Sequence, residues 1–566
     1  MYLRTTQRRN RDGSVVRYVQ LAHNRRVDGV TQAQVLLNLG REDRLDRDGL
    51  RRLVASINRY LGVPDSGAPA DAAQLAGDGL RVAASRPVGT VRLLDGLWRA
   101  LEVDAALRKV LGSRRFTTDV ERVLFALVAN RAIDPMSKLS AAEWASCDVA
   151  IDGLDAMDED QAYRAMDLLV EADAQAEVQE AVFFAVADLL NLEVDLLFFD
   201  TTSTYFERDD EETGEAAFRR YGHSKDHRED LPQIVIGLAV TKEGIPVRCW
   251  CWPGNTNDQT ILPQVKDDIR GWRLGRIITV VDRGFSSAEN LAYLRRGGGH
   301  FIAGMRMRDG NPLVEQVLSR QGRYQQVREN LRVKEVTVDE AGVRFVICHN
   351  PEQAERDRAQ REDAIARLEA ELARIKQTRE RDRKKANKNA RQKAEAAHLK
   401  AECALRDHPA LGRWLRQSPT GRLSINRAKV KQEARLDGKY LIATSDPHIS
   451  AEDTALGYKN LLEAERGFRD LKSTLDLRPV FHRLEHRIRA HVLLCWLALL
   501  LIRVAERRTG ATWRRIATEL ARVHAVALTG SAGTAVHTTP LTTTQAGIYR
   551  DCQVPAPPPI TALHPS

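Results

Sequence analysis

Two periodicities divide the chain. Between residues 88 and 192 apolar positions recur at helical spacing: Val91, Leu94, Leu97 and Trp98, then 120–128, then 162–190. From 194 the spacing becomes that of strands. Residues 196–199 form a continuous apolar run, as expected of a strand buried on both faces. Residues 233–240 and 245–252 flank Lys242-Glu243-Gly244, which predicts a hairpin turn. Residues 277–281 and 301–305 predict two more strands. A helix from Ser286 to Arg296 should join them, with Glu289 completing a capping box.

The stretch 312–446 breaks this pattern. Leu331–Val338 and Val343–His349 read as a hairpin. Ile365, Leu368, Leu372 and Ile375 then step by three, four and three, the seam of a coiled coil. A second helical run over 394–415 would fold back on the first, giving an antiparallel helical hairpin with a basic tip. A β-segment at Lys439–Thr444 closes this insertion. Ser450 should cap the next helix, with Asp453 at the capping-box position, and that helix should run on through Glu465.

At the N-terminus, residues 17–21 and 34–40 read as short strands and 46–61 as a helix capped by Asp46. The expected organisation is a basic N-terminal module (1–61), an Ala/Gly/Pro-rich linker (62–86) and a helical region (87–192). The first part of an α/β core follows (193–311), then the insertion (312–446) and the second part of the core (447–525). An irregular Thr/Ser/Gly/Pro-rich tail (526–566) ends the chain.

Composition narrows the class. The chain has 566 residues, 43% hydrophobic, enough for several cores. Its formal charge of +9 is clustered. Residues 1–30 hold seven arginines against two aspartates, Arg8 and Arg9 among them. Residues 376–400 hold ten Lys or Arg, including Lys384 and Lys385, against three acids. Such clusters suit a polyanionic partner, although a charge run can equally be a solvated face. The seven cysteines contain no CxxC pair, so reduced thiols are the plainer reading than a zinc site. The start MYLRTTQRRNRDG lacks an apolar segment, so a signal peptide is not expected. The longest apolar run, 492–502, suits a buried helix better than a membrane span. A cytoplasmic location is expected.

Three acids carry the candidate chemistry. Asp200 ends the apolar run 196–199, and Asp282 ends 277–281; carboxylates at strand exits face the crevice where open sheets bind ligands. Each alone is more often a turn or cap residue. On a continuous helix Tyr458, Glu465 and Lys472 would share one stripe, with Arg469 beside it, since seven residues make nearly two turns. Taken alone, that stripe could be a solvated face. Two strand aspartates with a helical glutamate form an oxygen-ligand set for two Mg²⁺ ions, with Mn²⁺ expected to substitute, and such a pair drives phosphodiester displacement. Lys225 and Arg228, on a polar loop before a strand, Arg283, after Asp282, and Tyr458, Arg469 and Lys472 on the glutamate helix are candidate DNA contacts. Trp414 could stack on an unpaired base but is more simply a packed indole.

The combination resembles the DDE transposases of bacterial insertion sequences, in the branch whose glutamate lies in Tyr-x2-Arg-x3-Glu-x6-Lys. Tyr458, Glu465 and Lys472 match three of the four positions; Leu461 stands in place of Arg. Asp200-Thr-Thr-Ser and Asp282-Arg-Gly are similar to the family's two aspartate motifs. Residues 221–233 (YGHSKDHREDLPQ) and 254–258 (GNTND) resemble motifs between them. The resemblance implies a ribonuclease H-like mixed sheet, which the five predicted strands match, carrying a large insertion. It also implies Mg²⁺, double-stranded DNA with terminal inverted repeats, a target DNA and a homodimeric synaptic complex on the bacterial nucleoid. A nuclease of the same fold that never joins ends, and an inactive DNA-binding derivative, are the competing expectations.

Overall fold

The computed structural model describes residues 2–9, 15–27, 30–41, 45, 49–50, 80–112, 119–171, 174–192, 195–207, 212, 214, 217–272, 276–308, 310–338, 342–384, 387–419, 421–478, 480–530 and 532–565. It separates into two compact units, Met1–Arg81 with Thr529–Ala532, and Val82–Leu528 with Gly533–Ser566.

In the first unit, β1 (Tyr2–Arg9), β2 (Val15–Val27) and β3 (Val30–Arg41) form an antiparallel sheet in the order β1-β2-β3. The strands are longer than the apolar stretches 17–21 and 34–40. β1 was not anticipated, because its sequence YLRTTQRR has no apolar alternation. Residues 51–61 of the expected helix, and 62–79 of the expected linker, lie outside the described residues.

The second unit begins with β4 (Arg81–Pro87), a strand where the linker was expected to continue. The helices α1 (Gly89–Ala100), α2 (Val103–Leu111), α3 (Val120–Ile133), α4 (Lys138–Glu143), α5 (Glu159–Glu171) and α6 (Ala174–Leu190) follow. α3 is buried on all sides. Its Glu121 and Arg122 are satisfied internally: Trp98 Nε1 donates to Glu121 at 2.7 Å, and Arg122 donates to Asp95 at 2.6 Å.

Then comes the central sheet: β5 (Leu196–Tyr205), β6 (Gln233–Thr241), β7 (Pro246–Pro253), β8 (Ile278–Val281), β9 (His300–Met305), β10 (Gln325–Arg328), β11 (Leu331–Val338) and β12 (Val343–His349). With β15 (Lys439–Thr444) these form a nine-stranded mixed sheet, order β10-β11-β12-β15-β9-β8-β5-β6-β7. β5, β8 and β9 are parallel; β6, β7, β15 and β12 join antiparallel. The five strands read from the sequence form one half. Four strands of the stretch 312–446, β10, β11, β12 and β15, extend that same sheet, because β15 pairs directly with β9.

Both faces of the sheet are covered, which explains the unbroken apolar runs. Phe198, Ile236, Leu238 and Val280 enter one core, and Leu197, Phe199, Val235 and Val281 the other. The second core is closed by α7 (Asp258–Arg270) and α8 (Ala288–Arg295). α8 is capped by Ser287, whose side chain accepts from Asn290 N; Ser286 and Glu289 do not form the cap expected of them, because a one-turn helix at Arg283–Phe285 intervenes. α9 (Pro312–Ser319) precedes β10.

From the sheet project α10 (Pro351–Arg383) and α11 (Lys388–Arg406), the expected helical hairpin. Ile365, Leu368 and Ile375 are buried there against Leu405 and Trp414. The short strands β13 (Leu415–Gln417) and β14 (Leu423–Ile425) and helix α12 (Arg427–Ala434) return the chain to β15. α13 (Ala451–Lys459) and α14 (Leu462–Ser473) follow, then α15 (Glu485–Thr509) and α16 (Trp513–Leu520). By length and composition α15 could cross a membrane, but 94% of its most apolar window is buried within the protein.

The tail is regular, contrary to its composition. β16 (His524–Gly530), β17 (Gly533–Thr538) and β18 (Ile560–Pro565) form a four-stranded sheet with β4, order β18-β17-β16-β4. Helix α17 (Thr543–Asp551) starts with a complete Thr542/Gln545 capping box. β-branched residues in this Thr-rich segment supply strand propensity that its polarity conceals.

Candidate active site

Asp200 does not end its strand. β5 continues through Thr201-Thr202-Ser203-Thr204 to Tyr205, paired with β6. What stops at Phe199 is the partner on the other side: Phe199 and Val281 are the last paired residues of the parallel β5–β8 ladder. Asp200 and Asp282 each lie one position beyond that pair, side by side, Asp200 within β5 and Asp282 just past the end of β8. By alternation, Asp200 faces the same side of the sheet as Phe198.

Asp282 is bound from the helical layer. Tyr458, on α13, donates its hydroxyl to Asp282 Oδ1 at 2.9 Å. Its ring stacks on Tyr440 and passes over Gly304 of β9, where a Cβ would come within 2.2 Å of the hydroxyl. Burial raises the Tyr458 phenol above its ordinary range. The Asp282 charge and hydrogen bond add to this, and so does Glu465. The phenol therefore stays a donor.

The Glu465 helix is not continuous with the Tyr458 helix. The chain turns at Asn460–Leu461, so α13 carries Tyr458 and α14 carries Glu465, Arg469 and Lys472. The single stripe expected from seven-residue spacing does not exist. Leu461, which replaces the signature arginine, is buried at the turn. Glu465 and Arg469 are exposed. Lys472 was expected to face DNA; instead it is largely buried and donates to Asp226 at 2.7 Å, and Arg478 meets the same carboxylate at 2.6 Å.

The two motifs between the aspartates converge on Asp200. Gly222 and Gly254 meet backbone to backbone: a Cβ on Gly222 would lie 2.1 Å from the Gly254 carbonyl oxygen. The Gln233 amide, donating to that carbonyl at 2.9 Å, ties them further. The contact brings Lys225 and Asp258 together. Lys225 Nζ lies 3.2 Å from Asp258 Oδ2 and 3.9 Å from Asp200 Oδ1, and donates to Thr201 O and Oγ1 at 2.8 and 2.6 Å. Thr201 Oγ1 in turn donates to Asp258 Oδ1 at 2.7 Å. In the sequence Asp258 is only the last residue of the 254–258 motif; the pairing that brings it to Asp200 joins distant segments and is not visible in one sequence.

Burial pushes the Asp200 carboxyl up to about 6. Asp282 and Asp258 add to the rise, while Lys225 and the Thr201 N–H oppose it. The site therefore carries more negative charge than its one lysine balances, and every donor is a hard oxygen, which fits a divalent cation. The set is open, however. Among the described residues no three His, Cys, Asp or Glu side chains are gathered closely enough to hold a metal ion. Asp200 and Asp282 are neighbours; Glu465 is not gathered with them, and its one link to the pair is its charge, which helps raise the Tyr458 phenol.

Beside the aspartates runs a cleft of about 700 Å³, lined by His223, Lys225, Asp258, Arg283 and Arg306. Arg283 is exposed there. Arg228 is paired with Asp230 at 2.9 Å and stacks on Tyr205. Lys384 is exposed at the turn between α10 and α11, whereas Lys385 lies outside the described residues. Arg8 and Arg9 are on β1. Trp414 is buried and cannot meet a base.

Residues 195–501 match the transposase DDE domain, and residues 3–68 match the N-terminal domain of IS1634 family transposases. The first match spans more than half of the chain, which therefore belongs to the DDE transposases of insertion sequences. Members of this family act on DNA and generally depend on a divalent metal. Among solved structures, a piggyBac transposase synaptic complex with hairpin DNA aligns over 76% of each chain, at 10% identity and a TM-score of 0.33. No curated protein matches the chain.

Proposed function

We propose that the protein binds the terminal inverted repeats of its own element and catalyses metal-dependent cleavage and strand transfer. The observation that carries this reading is the register of Asp200 and Asp282 beyond the last β5–β8 pair, with Asp282 held by the Tyr458 hydroxyl. The strand order β7-β6-β5-β8-β9, with three parallel central strands, supports a ribonuclease H-like core.

Asp200, Asp282 and Glu465 would hold two Mg²⁺ ions, with Mn²⁺ able to replace them. Bound there, the ions would activate a water or a 3′-hydroxyl and stabilise the departing oxygen. The chain's own residues orient and exclude. Tyr458 fixes Asp282, and Thr201 N–H fixes one Asp200 oxygen at 2.7 Å. The helices above the sheet keep bulk water from one side. Arg283, Arg306 and Lys225 draw the phosphate backbone into the cleft. Arg469 and Lys384 add cationic surface, and Arg8 and Arg9 serve repeat recognition. A homodimer bridging two element ends, on the bacterial nucleoid in the cytoplasm, completes the reading.

The test is strand transfer of a precut repeat end into a target plasmid with Mg²⁺. Joined product is expected from the wild type. None is expected from Asp200→Ala, Asp282→Ala or Glu465→Ala, each still shifting repeat DNA in a gel. Hydrolysis without joining would mark a nuclease instead. Activity surviving in Glu465→Ala would remove Glu465 from the site.

A further inference from the structure

Lys225 stands where a cation is most wanted. Its ammonium reaches Asp200, Asp258 and both oxygens of Thr201, all within 3.9 Å. No other Lys or Arg lies within ion-pair distance of Asp200 among the described residues. The loop holding it is fixed independently: Lys225 N donates to Ser203 Oγ at 2.8 Å, and the next residue, Asp226, is locked between Lys472 and Arg478. A lysine stem is long and flexible, so the head can leave while the loop stays.

Resting on the metal-dependent reading above, we propose that Lys225 is a built-in counter-cation which occupies the Asp200 carboxylate in the unloaded protein and gives way on metal entry. Asp258 and Thr201 form the parking site that keeps the ammonium within reach. Two positive charges cannot share one carboxylate cheaply, so a divalent cation at Asp200 drives Lys225 outward. Its way out is the cleft that it already lines with Arg283 and Arg306, where a DNA phosphate would receive it. Loading of metal and engagement of DNA are thereby coupled. Lys225 is a positioning residue in this scheme, and no bond to it is made or broken beyond hydrogen bonds.

The test is direct Mn²⁺ binding to the full chain without DNA, read from the loss of the free-ion electron paramagnetic resonance signal. Lys225→Met removes the competitor and should tighten binding about fivefold, the factor for one partly screened charge pair. Lys225→Arg keeps the charge and should bind near the wild-type level. Thermal midpoints of both variants check that the fold is intact. Equal Mn²⁺ affinity in wild type and a folded Lys225→Met overturns the counter-cation, yet leaves the metal reading standing. If Lys225→Met lacks a native melting transition, Asp258→Asn takes its place: it frees Lys225 to sit on Asp200 alone and should weaken Mn²⁺ binding, and unchanged binding there overturns the scheme too. Absence of Mn²⁺ binding in every form, with Asp200→Asn indistinguishable from wild type, overturns both.

Discussion

At the scale of single residues, the site is organised by groups that neither bind substrate nor react. Tyr458 holds Asp282 through one hydrogen bond, in the manner of the outer partners that orient metal-binding carboxylates. Tyr458→Phe keeps the ring and its stacking on Tyr440, so the fold should persist. Cleavage should fall about tenfold or more, the usual loss when such a partner is removed, and half-maximal cleavage should need more added metal. Unchanged metal titration curves would remove Tyr458 from this role. Asp226 is the second such residue. It neutralises Lys472 and Arg478 in a largely buried position. Asp226→Ala strands those charges and should cost about 3 kcal/mol, read as a lower midpoint in urea. Neither partnership was legible in the sequence. Lys472 matches a signature position at the correct spacing, but one sequence cannot show that a residue 246 positions away would claim its ammonium.

At the scale of elements, sequence patterns succeeded where burial has a simple period. The runs 196–199 and 277–281 became central strands because both faces of the sheet are covered. The seam at Ile365, Leu368 and Ile375 became a packed helical hairpin. They failed where tertiary partners decide. β5 continues past Asp200 through Thr and Ser because β6 pairs with it as far as Gln233. The helix after Ser450 breaks at Leu461, which is buried there rather than carried on the face of a continuous helix. The polar tail became a sheet because β4, hidden in an apparent linker, offered an edge. Close packing between elements gives a sharper prediction at Gly304. Ala there places a methyl against the Tyr458 hydroxyl, where a Cβ would lie only 2.2 Å away, so α13 must shift from β9. Gly304→Ala should therefore reduce cleavage at least as much as Tyr458→Phe, while repeat binding in a gel shift remains. Wild-type cleavage by Gly304→Ala would mean that α13 can yield without moving the carboxylates.

At the scale of the whole molecule, the helical region and the core are fused through a buried cationic seam. Arg131 of α3 donates to the backbone carbonyls of Leu475 and Asp476, beyond α14. Near it lies Lys138, buried and, among the described residues, in no ion pair. Burial, helped by Arg131, lowers the Lys138 ammonium to about 7. In an unfolded chain it would protonate near the ordinary lysine value of about 10.4. Between these values the unfolded chain binds a proton that the folded chain does not, so this residue makes stability rise with pH from about 7 to about 10. Below 7 both states hold the proton, and the full penalty stands without further pH dependence. Lys138→Met keeps a similar volume and removes the charge. It should raise stability at pH 7 by about 2–4 kcal/mol, and the advantage should shrink steadily toward pH 10. Buried thiols such as Cys249 are also shifted, upward by burial, and shape the wild-type curve in the opposite sense. The difference between variant and wild type cancels them. Thermal midpoints of both proteins at pH 7, 8, 9 and 10 supply that difference; a constant gap would show that Lys138 is paired or solvated, and that the seam joining helices to core carries no stored charge.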